Sequence, residues 1–273
     1  YDFLGNSINY FVRTEDNDKP DQGFENTIIS SGISTSFEQF KDINAELGLL
    51  FSYDDLRTLD TASDSLKKQA GNFSEISGIY GFKNDQRNRS FKPTDGYVTS
   101  FNQTLPIYAD KKSIGNRVHG SFYNSFSENI IGAAKVTLDT VNGLNGDDVR
   151  LSKRKNISSN RLRGFKKSKV GPVDGKDHIG GNYTTSLNFE ASFPNLLPES
   201  TRTDIGLFMD FGNVWGVDYD STIDSSNKVR SSFGAAASWT SPLGPMTFTL
   251  ARDLTKADTD ETESFKFNLG TTF

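Results

Sequence analysis

Apolar and polar side chains alternate along most of this chain with a period of two residues. Residues 265–273 show the alternation most clearly: Phe265, Phe267, Leu269 and Phe273 stand at odd positions, and Lys, Asn, Gly and Thr stand at even ones. Successive side chains of a β-strand point to opposite faces, so this pattern predicts a strand with one apolar and one polar face.

The same alternation predicts twelve strands in total. They lie near residues 4–14, 25–38, 43–56, 73–87, 96–105, 112–126, 129–142, 179–193, 203–216, 229–240, 246–254 and 263–273. Most are longer than the usual strand of about 5–6 residues in a soluble protein, and they match the roughly 9–11 residues that cross a bilayer at a tilt. The lengths therefore favour transmembrane strands.

The predicted connections between strands come in two lengths. Longer connectors lie near residues 15–24, 57–72, 143–178, 217–228 and 255–262, and tight ones lie at 39–42, 127–128 and 241–245. Short connections on one side and long ones on the other are typical of outer-membrane barrels. If Phe273 ends in the periplasm, the long connectors are extracellular. The connector at 106–111 is shorter than this rule predicts.

The composition agrees with a membrane barrel. Hydrophobic residues make up only 34% of the chain and the mean hydropathy is −0.54, although aromatic residues reach 12%. No run of about 18 apolar residues is present, which excludes a transmembrane helix, whereas a barrel strand needs only alternate apolar residues. The sequence therefore predicts an all-β fold, a transmembrane antiparallel up-and-down β-barrel with about twelve strands, as a single domain over residues 1–273. A soluble β-sandwich or β-solenoid is the alternative.

Catalytic chemistry finds little support in the sequence. The chain has no cysteine, and His119 and His178 lack a plausible metal cluster around them. No nucleophile-elbow motif is present, and a net charge of −5 argues against nucleic acid as a partner. We therefore expect a protein that is not an enzyme, with no catalytic residues, no metal and no cofactor.

Two predicted strands place a carboxylate on the polar, lumen-facing side. These are Glu190 and Asp210, which would repel each other unless protonated or joined by a cation. Arg163 lies in the longest connector, which is long enough to fold back into the barrel. Its planar guanidinium can bind carboxylates in bidentate fashion, and Gly164 allows close approach of the backbone. The alternative is that all three groups are solvated charges, because isolated ion pairs contribute little.

Four short motifs follow one another between residues 160 and 273. They are Leu162-Arg163-Gly164-Phe165, Gly180-Gly181-Asn182, Met209-Asp210-Phe211-Gly212-Asn213-Val214-Trp215, and Ser241-Pro242-Leu243-Gly244-Pro245. In order and spacing they resemble the BamA family of outer-membrane assembly factors, whose superfamily also contains two-partner-secretion transporters. The first motif matches that family's Val-Arg-Gly-Phe/Tyr motif at the tip of loop six. Residues 89–96 resemble its periplasmic turn, and residues 1–88 match only in pattern.

The resemblance implies that Arg163 contacts acidic residues of adjacent strands, here Glu190 and Asp210, inside the barrel. It also implies that Gly180, Gly181, Gly212 and Trp215 belong to supporting motifs. The family's barrel has sixteen strands preceded by periplasmic POTRA domains. We therefore expect this chain to be an N-terminally truncated barrel that lacks the POTRA domains and the first strands. Unsatisfied strand edges are costly in lipid, so we expect closure or edge pairing in any stable preparation.

The function that this resemblance implies is the folding and insertion of β-barrel proteins into the outer membrane of Gram-negative bacteria. The implied partners are unfolded outer-membrane clients, assembly-complex lipoproteins, outer-membrane lipids and lipopolysaccharide. The terminal strand residues Phe265, Phe267, Leu269 and Phe273 are candidates for a recognition signal, although a lipid-facing position explains them equally well. The alternatives are a two-partner-secretion-type transporter and a simple porin.

Basic residues crowd the longest connector of the chain. Contact with lipopolysaccharide phosphates or with acidic lumen residues is one interpretation, and a solvated charged loop is the other. The residues are Lys153, Arg154, Lys155, Arg161, Lys166, Lys167 and Lys169.

Overall fold

The computed structural model describes residues 5–224, 226–241 and 244–270. Twelve long strands form one antiparallel sheet in which each strand pairs with its neighbour along the chain. They are β1 (Ser7–Lys19), β2 (Phe24–Phe40), β3 (Ile43–Thr58), β4 (Gly71–Asp85), β5 (Gly96–Ala109), β6 (Ser113–Ser127), β7 (Ile130–Gly143), β10 (Tyr183–Phe193), β11 (Thr203–Trp215), β12 (Arg230–Ser241), β13 (Gly244–Thr255) and β14 (Phe265–Leu269).

The remaining elements are short and lie in the connections. A two-stranded hairpin joins β8 (Val173–Asp174) to β9 (Asp177–His178), and one helical turn, α1, covers Asp64–Lys67. Single 3₁₀ turns lie at Pro20–Gln22, Leu151–Lys153 and Glu199–Thr201. Within the described residues, no helix is long and apolar enough to cross a membrane.

The structure confirms the twelve predicted strands and corrects several boundaries. The connector predicted at 106–111 is wrong, because β5 continues to Ala109 and only residues 110–112 separate it from β6. The connector predicted at 15–24 is wrong, because β1 continues to Lys19, which pairs with Phe24, and only residues 20–23 make the turn. The strand predicted from residue 179 begins at Tyr183. Before it, Gly180 takes a positive φ of 70° and Gly181 pairs with Lys155 instead of with a sheet neighbour. The predicted Leu4, Pro242, Leu243 and Phe273 lie outside the described residues.

The sheet is apolar on its outer face and polar on its inner face. Along β3, Leu47, Leu49, Phe51 and Tyr53 are all exposed, whereas inward-facing groups such as Asp210 are buried. This arrangement is the reverse of a soluble protein, in which large apolar side chains fill the core. The exposed apolar band indicates that lipid covers the outer face.

The described sheet is open, with β1 and β14 as its two edges. β14 pairs with β13 from Met246↔Leu269 to Leu250↔Phe265. Closure of the barrel, or pairing of its edges with other strands, therefore stays a prediction.

The long loop of residues 144–182, called here the lumen loop, packs inside the curved sheet. The middle of this loop contributes Ile157, Leu162, Phe165 and Val170 to a small apolar core with Val214 of β11. A second apolar core joins the lumen loop to the ends of the wall strands that carry the long connections and to neighbouring loops. Its buried members are Phe24, Leu56, Ala62, Leu66, Phe73, Leu151 and Ile179.

Candidate functional site

The lumen loop carries Arg163 to the inner faces of β10 and β11. Its Nε and Nη2 donate to the two carboxylate oxygens of Asp210, each at 2.7 Å. Nη2 also lies 3.0 Å from Oε1 of Glu190. The structure therefore places one guanidinium between the two carboxylates that the sequence singled out. We call these three residues the clasp.

The register of the sheet explains why the two carboxylates lie together. Asn188 pairs with Asp210 and Glu190 pairs with Phe208 across β10 and β11, so all four side chains share the lumen face. Glu190 and Asp210 are diagonal neighbours on that face, a spacing that long side chains can bridge. Because the side chain of Asp210 is fully buried, its charge needs a partner.

Every group in the clasp has further partners. The main-chain N–H of Arg163 donates to Asp210 at 3.0 Å, and Asn188 Nδ2 donates to the same carboxylate at 2.8 Å. Glu190 accepts from Lys135 Nζ of β7 at 2.6 Å. The guanidinium also stacks over the ring of Phe208, 3.7 Å from its centroid. Such a dense set of charge-assisted contacts fixes the orientation of Arg163.

Three of these contact residues were not identified from the sequence: Lys135, Asn188 and Phe208. Asn188 and Phe208 stand two residues from Glu190 and Asp210, so the period of two already placed them on the same face. Lys135 lies on β7. Its position opposite the clasp depends on the register between β7 and β10, which the sequence of either strand alone does not reveal.

Glycines let the lumen loop approach the wall. Gly164 has a positive φ of 91°, and a Cβ there would lie 3.2 Å from Cβ of Ala251. A Cβ on Gly212 of β11 would lie 2.5 Å from the Cδ1 atom of Ile157 in the loop, and one on Gly181 would meet the backbone of Trp215 at 2.3 Å. The motif glycines therefore lie where loop and wall come closest.

The flanking motif residues are buried or stacked. Leu162 and Phe165, on either side of the Arg-Gly pair, are 0% and 1% exposed. Phe165 forms a backbone bridge with Thr262, and Trp215 stacks on Tyr183 at 5.6 Å. Gly180 approaches the carbonyl oxygen of Lys155. These contacts hold the tip of the lumen loop on both sides of the clasp.

Most basic residues of the lumen loop meet carboxylates of the barrel or of other loops, which fits the acidic-partner interpretation of the basic cluster. The pairs are Lys153 with Glu75, Arg154 with Asp218, Arg161 with Asp139, Lys166 with Glu261, and Lys169 with Asp21. Asp218 also accepts from the backbone N–H of Val149 at 2.8 Å. Burial alone would raise the pKa of Asp218, but that N–H and the Arg154 guanidinium lower it below its usual value.

The other predicted residues lie away from the clasp. Phe265, Phe267 and Leu269 of β14 are exposed on the outer face, as a lipid-facing position requires. His119 is hydrogen-bonded between Thr137 and Ser121, at 3.0 Å from each. The β14 side chains point outward and His119 is bonded to its own neighbours, so none of them belongs to the clasp.

The chemistry of the clasp is that of a structural contact. A guanidinium stays protonated at all ordinary pH values, and its planar fork binds two carboxylate oxygens at once. The arrangement therefore fixes the lumen loop to the wall.

Comparison with known proteins gives consistent matches along the whole chain. The model of the Omp85 superfamily domain matches residues 2–273. The outer membrane protein assembly factor BamA of Neorickettsia risticii is 26% identical over 263 residues, which cover 94% of this chain and 35% of that relative. The chain thus spans about a third of the length of the curated relatives that it matches.

Solved structures show the same fold. The crystal structure of BamA from Haemophilus ducreyi lacking POTRA domains 1–3 superposes with a TM-score of 0.84 at 21% identity, covering 96% of this chain and 58% of that one. CdiB from Escherichia coli superposes less well, with a TM-score of 0.56 at 14% identity, covering 95% of this chain and 48% of that one. The sheet is therefore built like the BamA barrel.

Proposed function

The chain belongs to the Omp85 superfamily, and we propose that it is the barrel of an insertase that folds other β-barrel proteins into the bacterial outer membrane. It is an outer-membrane β-barrel chain of the BamA type. The observation that carries the proposal is the match to BamA over nearly the whole chain, in sequence and in fold.

The mechanism follows from an exposed strand edge. Within the described sheet β14 pairs on one side with β13, and its other edge is open. An open edge presents unpaired N–H and C=O groups, and an incoming strand can pair with them by β-augmentation. In this proposal β14 templates a strand of the client, and the clasp keeps the lumen loop against β10 and β11 while the edge opens.

The proposed partners follow from the same mechanism. The clients are unfolded outer-membrane proteins, and the lipid-facing band contacts outer-membrane lipids. Assembly lipoproteins and lipopolysaccharide are further proposed partners. The ion pairs of the lumen loop do not favour lipopolysaccharide at that place, because most of its cations already contact carboxylates. We also propose that the protein is not an enzyme and uses no metal or cofactor.

Two other functions are less well supported. A secretion transporter of the same superfamily is not favoured, since the overlap with CdiB is weaker than that with BamA. A simple porin would line an open channel, whereas here a loop is packed against several wall strands by buried charges.

The test is a folding assay with the full-length protein in liposomes. A urea-denatured barrel client is diluted into liposomes with and without the protein, and its folding rate is followed by the gel shift of the folded barrel. We expect faster folding with the protein present. Equal rates would reject the insertase. Release of a secreted partner across the liposome wall, without client folding, would support the transporter instead.

A further inference from the structure

A second group of buried charges holds the lumen loop, far along the sheet from the clasp. Arg150 lies near the start of the loop, and its side chain is 3% exposed. Its Nη2 donates to Oε2 of Glu75 at 2.5 Å, and its Nη1 lies 3.6 Å from Oδ2 of Asp54. Its guanidinium also covers the ring of Phe73 at 5.1 Å. All three partners face the lumen from β3 and β4.

The carboxylates of Asp54 and Glu75 accept from further donors of the loop. Lys153 Nζ lies 2.6 Å from Oε2 of Glu75, and Ser152 Oγ donates to Oδ2 of Asp54 at 2.5 Å. Two cations of the loop therefore balance two carboxylates of the wall. The side chains of Asp54 and Glu75 are only 6% and 2% exposed, so loss of Arg150 would leave the buried carboxylate of Asp54 without its cation.

The two charged groups bind different parts of the wall. In the sheet, β5, β6 and β7 lie between the β3–β4 pair and the β10–β11 pair. The segment from residue 150 to residue 163 therefore runs from one region of the wall to the other across the lumen. If the loop were held at one end only, its other end could adopt several orientations, whereas two fixed points define its path.

We propose that Arg150 is a positioning residue, which anchors the lumen loop to β3 and β4 and thereby sets the path that brings Arg163 to its carboxylates. Its part in client insertion rests on the proposed function, but its effect on the loop does not. Loss of the anchor weakens the docking of residues 158–165, although none of these residues forms a hydrogen bond or an ion pair with Arg150.

The experiment compares hydrogen exchange and client folding in the full-length protein with three single variants. Arg150→Met removes the guanidinium and keeps most of the apolar stem. Arg150→Lys keeps the charge but loses the fork that reaches both carboxylates. Arg87→Met is the control, because Arg87 is a partly buried arginine whose ion pair with Asp85, at 2.7 Å, lies at the opposite end of β4 from Glu75.

The readout is the exchange of the Arg161 and Leu162 amides, which donate to the carbonyl oxygen of Ser158. We expect Arg150→Met to speed their exchange by about tenfold or more, because breaking a buried pair favours local opening. Arg150→Lys should recover part of the protection, and Arg87→Met should leave it within about twofold of wild type, as expected for a distant site.

Unchanged exchange in Arg150→Met, or a change confined to residues 151–155, would overturn the proposal. So would equal effects of Arg150→Met and Arg87→Met, because the loss would then reflect lower global stability. If wild type fails to accelerate client folding, the insertase proposal is rejected while the exchange data still decide on the anchor.

Discussion

Replacement of Asp210 by Asn gives the sharpest test of the clasp. The change keeps the shape of the side chain but removes the charge that meets Arg163 at 2.7 Å through two nitrogens. It also replaces one acceptor oxygen by a donor, so the new NH₂ group faces either the guanidinium or the N–H groups of Arg163 and Asn188, which are donors as well. The side chain is fully buried, so water cannot make up the loss.

The expected cost to loop docking is about 3 kcal/mol. Breaking a buried ion pair typically costs about 3–5 kcal/mol, and the lower end applies here because Glu190 keeps contact with the guanidinium. At about 1.4 kcal/mol per factor of ten, this corresponds to a roughly hundredfold rise in the population of the undocked loop.

Hydrogen exchange of the Leu162 and Lys166 amides measures this population. These amides donate to the carbonyl oxygens of Ser158 and Glu261 and not to the substituted side chain, so they report docking of the whole segment. Asp204→Asn is the matched control, since Asp204 lies on the same face of β11 and pairs with Lys92 where both side chains are partly exposed. A surface pair contributes about 0–1 kcal/mol, so the control should change exchange less than about fivefold. Equal exchange in the two variants would refute the clasp.

Three further outcomes are expected. Gly164→Ala should raise protease cleavage in the lumen loop, because φ is 91° there and Cβ would lie 3.2 Å from Ala251; wild-type resistance would contradict this. A single cysteine at Asn268 in the edge strand β14 should form disulfides with a cysteine in the client's last strand, whereas one at Asn116 in β6, flanked on both sides by β5 and β7, should not. Burial and the nearby Lys169 ammonium lower the pKa of His178. The undocked loop therefore binds more protons than the docked loop below about pH 6.5, so docking should weaken as the pH falls through that range. His178→Gln should abolish this pH dependence, and docking of wild type that does not depend on pH would contradict it.

The strands could be predicted from the sequence because lipid imposes a strict alternation on them. In β3, the odd-numbered residues from Leu47 to Tyr53 are all apolar and face lipid, whereas the residues between them, Leu50 among them, face the lumen. The same rule failed at residues 15–19, which are polar at every position. Beyond the apolar band both faces meet water, so β1 continues there through its backbone pairing with β2 and carries no alternation.

The clasp could be predicted in part, and the second anchor could not. Arg163 belongs to a recognisable motif, and the alternation in two neighbouring strands places Glu190 and Asp210 on the lumen face. These two observations together predicted the contact. Arg150 and Glu75 are distant in the sequence and belong to no motif, so only the register of β3 and β4 and the path of the loop bring them together. Long-range pairs of this kind depend on the assembled fold.

The central claim is that this barrel inserts clients and that the clasp supports that activity. The direct measurement is the folding rate of a denatured barrel client in liposomes that contain the full-length protein as wild type, Arg163→Glu, or Arg163→Glu with Asp210→Arg. We predict fast folding with wild type, loss of the acceleration in the single variant, and partial recovery when the reversed pair restores opposite charges. Wild type without acceleration would contradict the insertase, and acceleration that is indifferent to Arg163 would contradict the importance of the clasp.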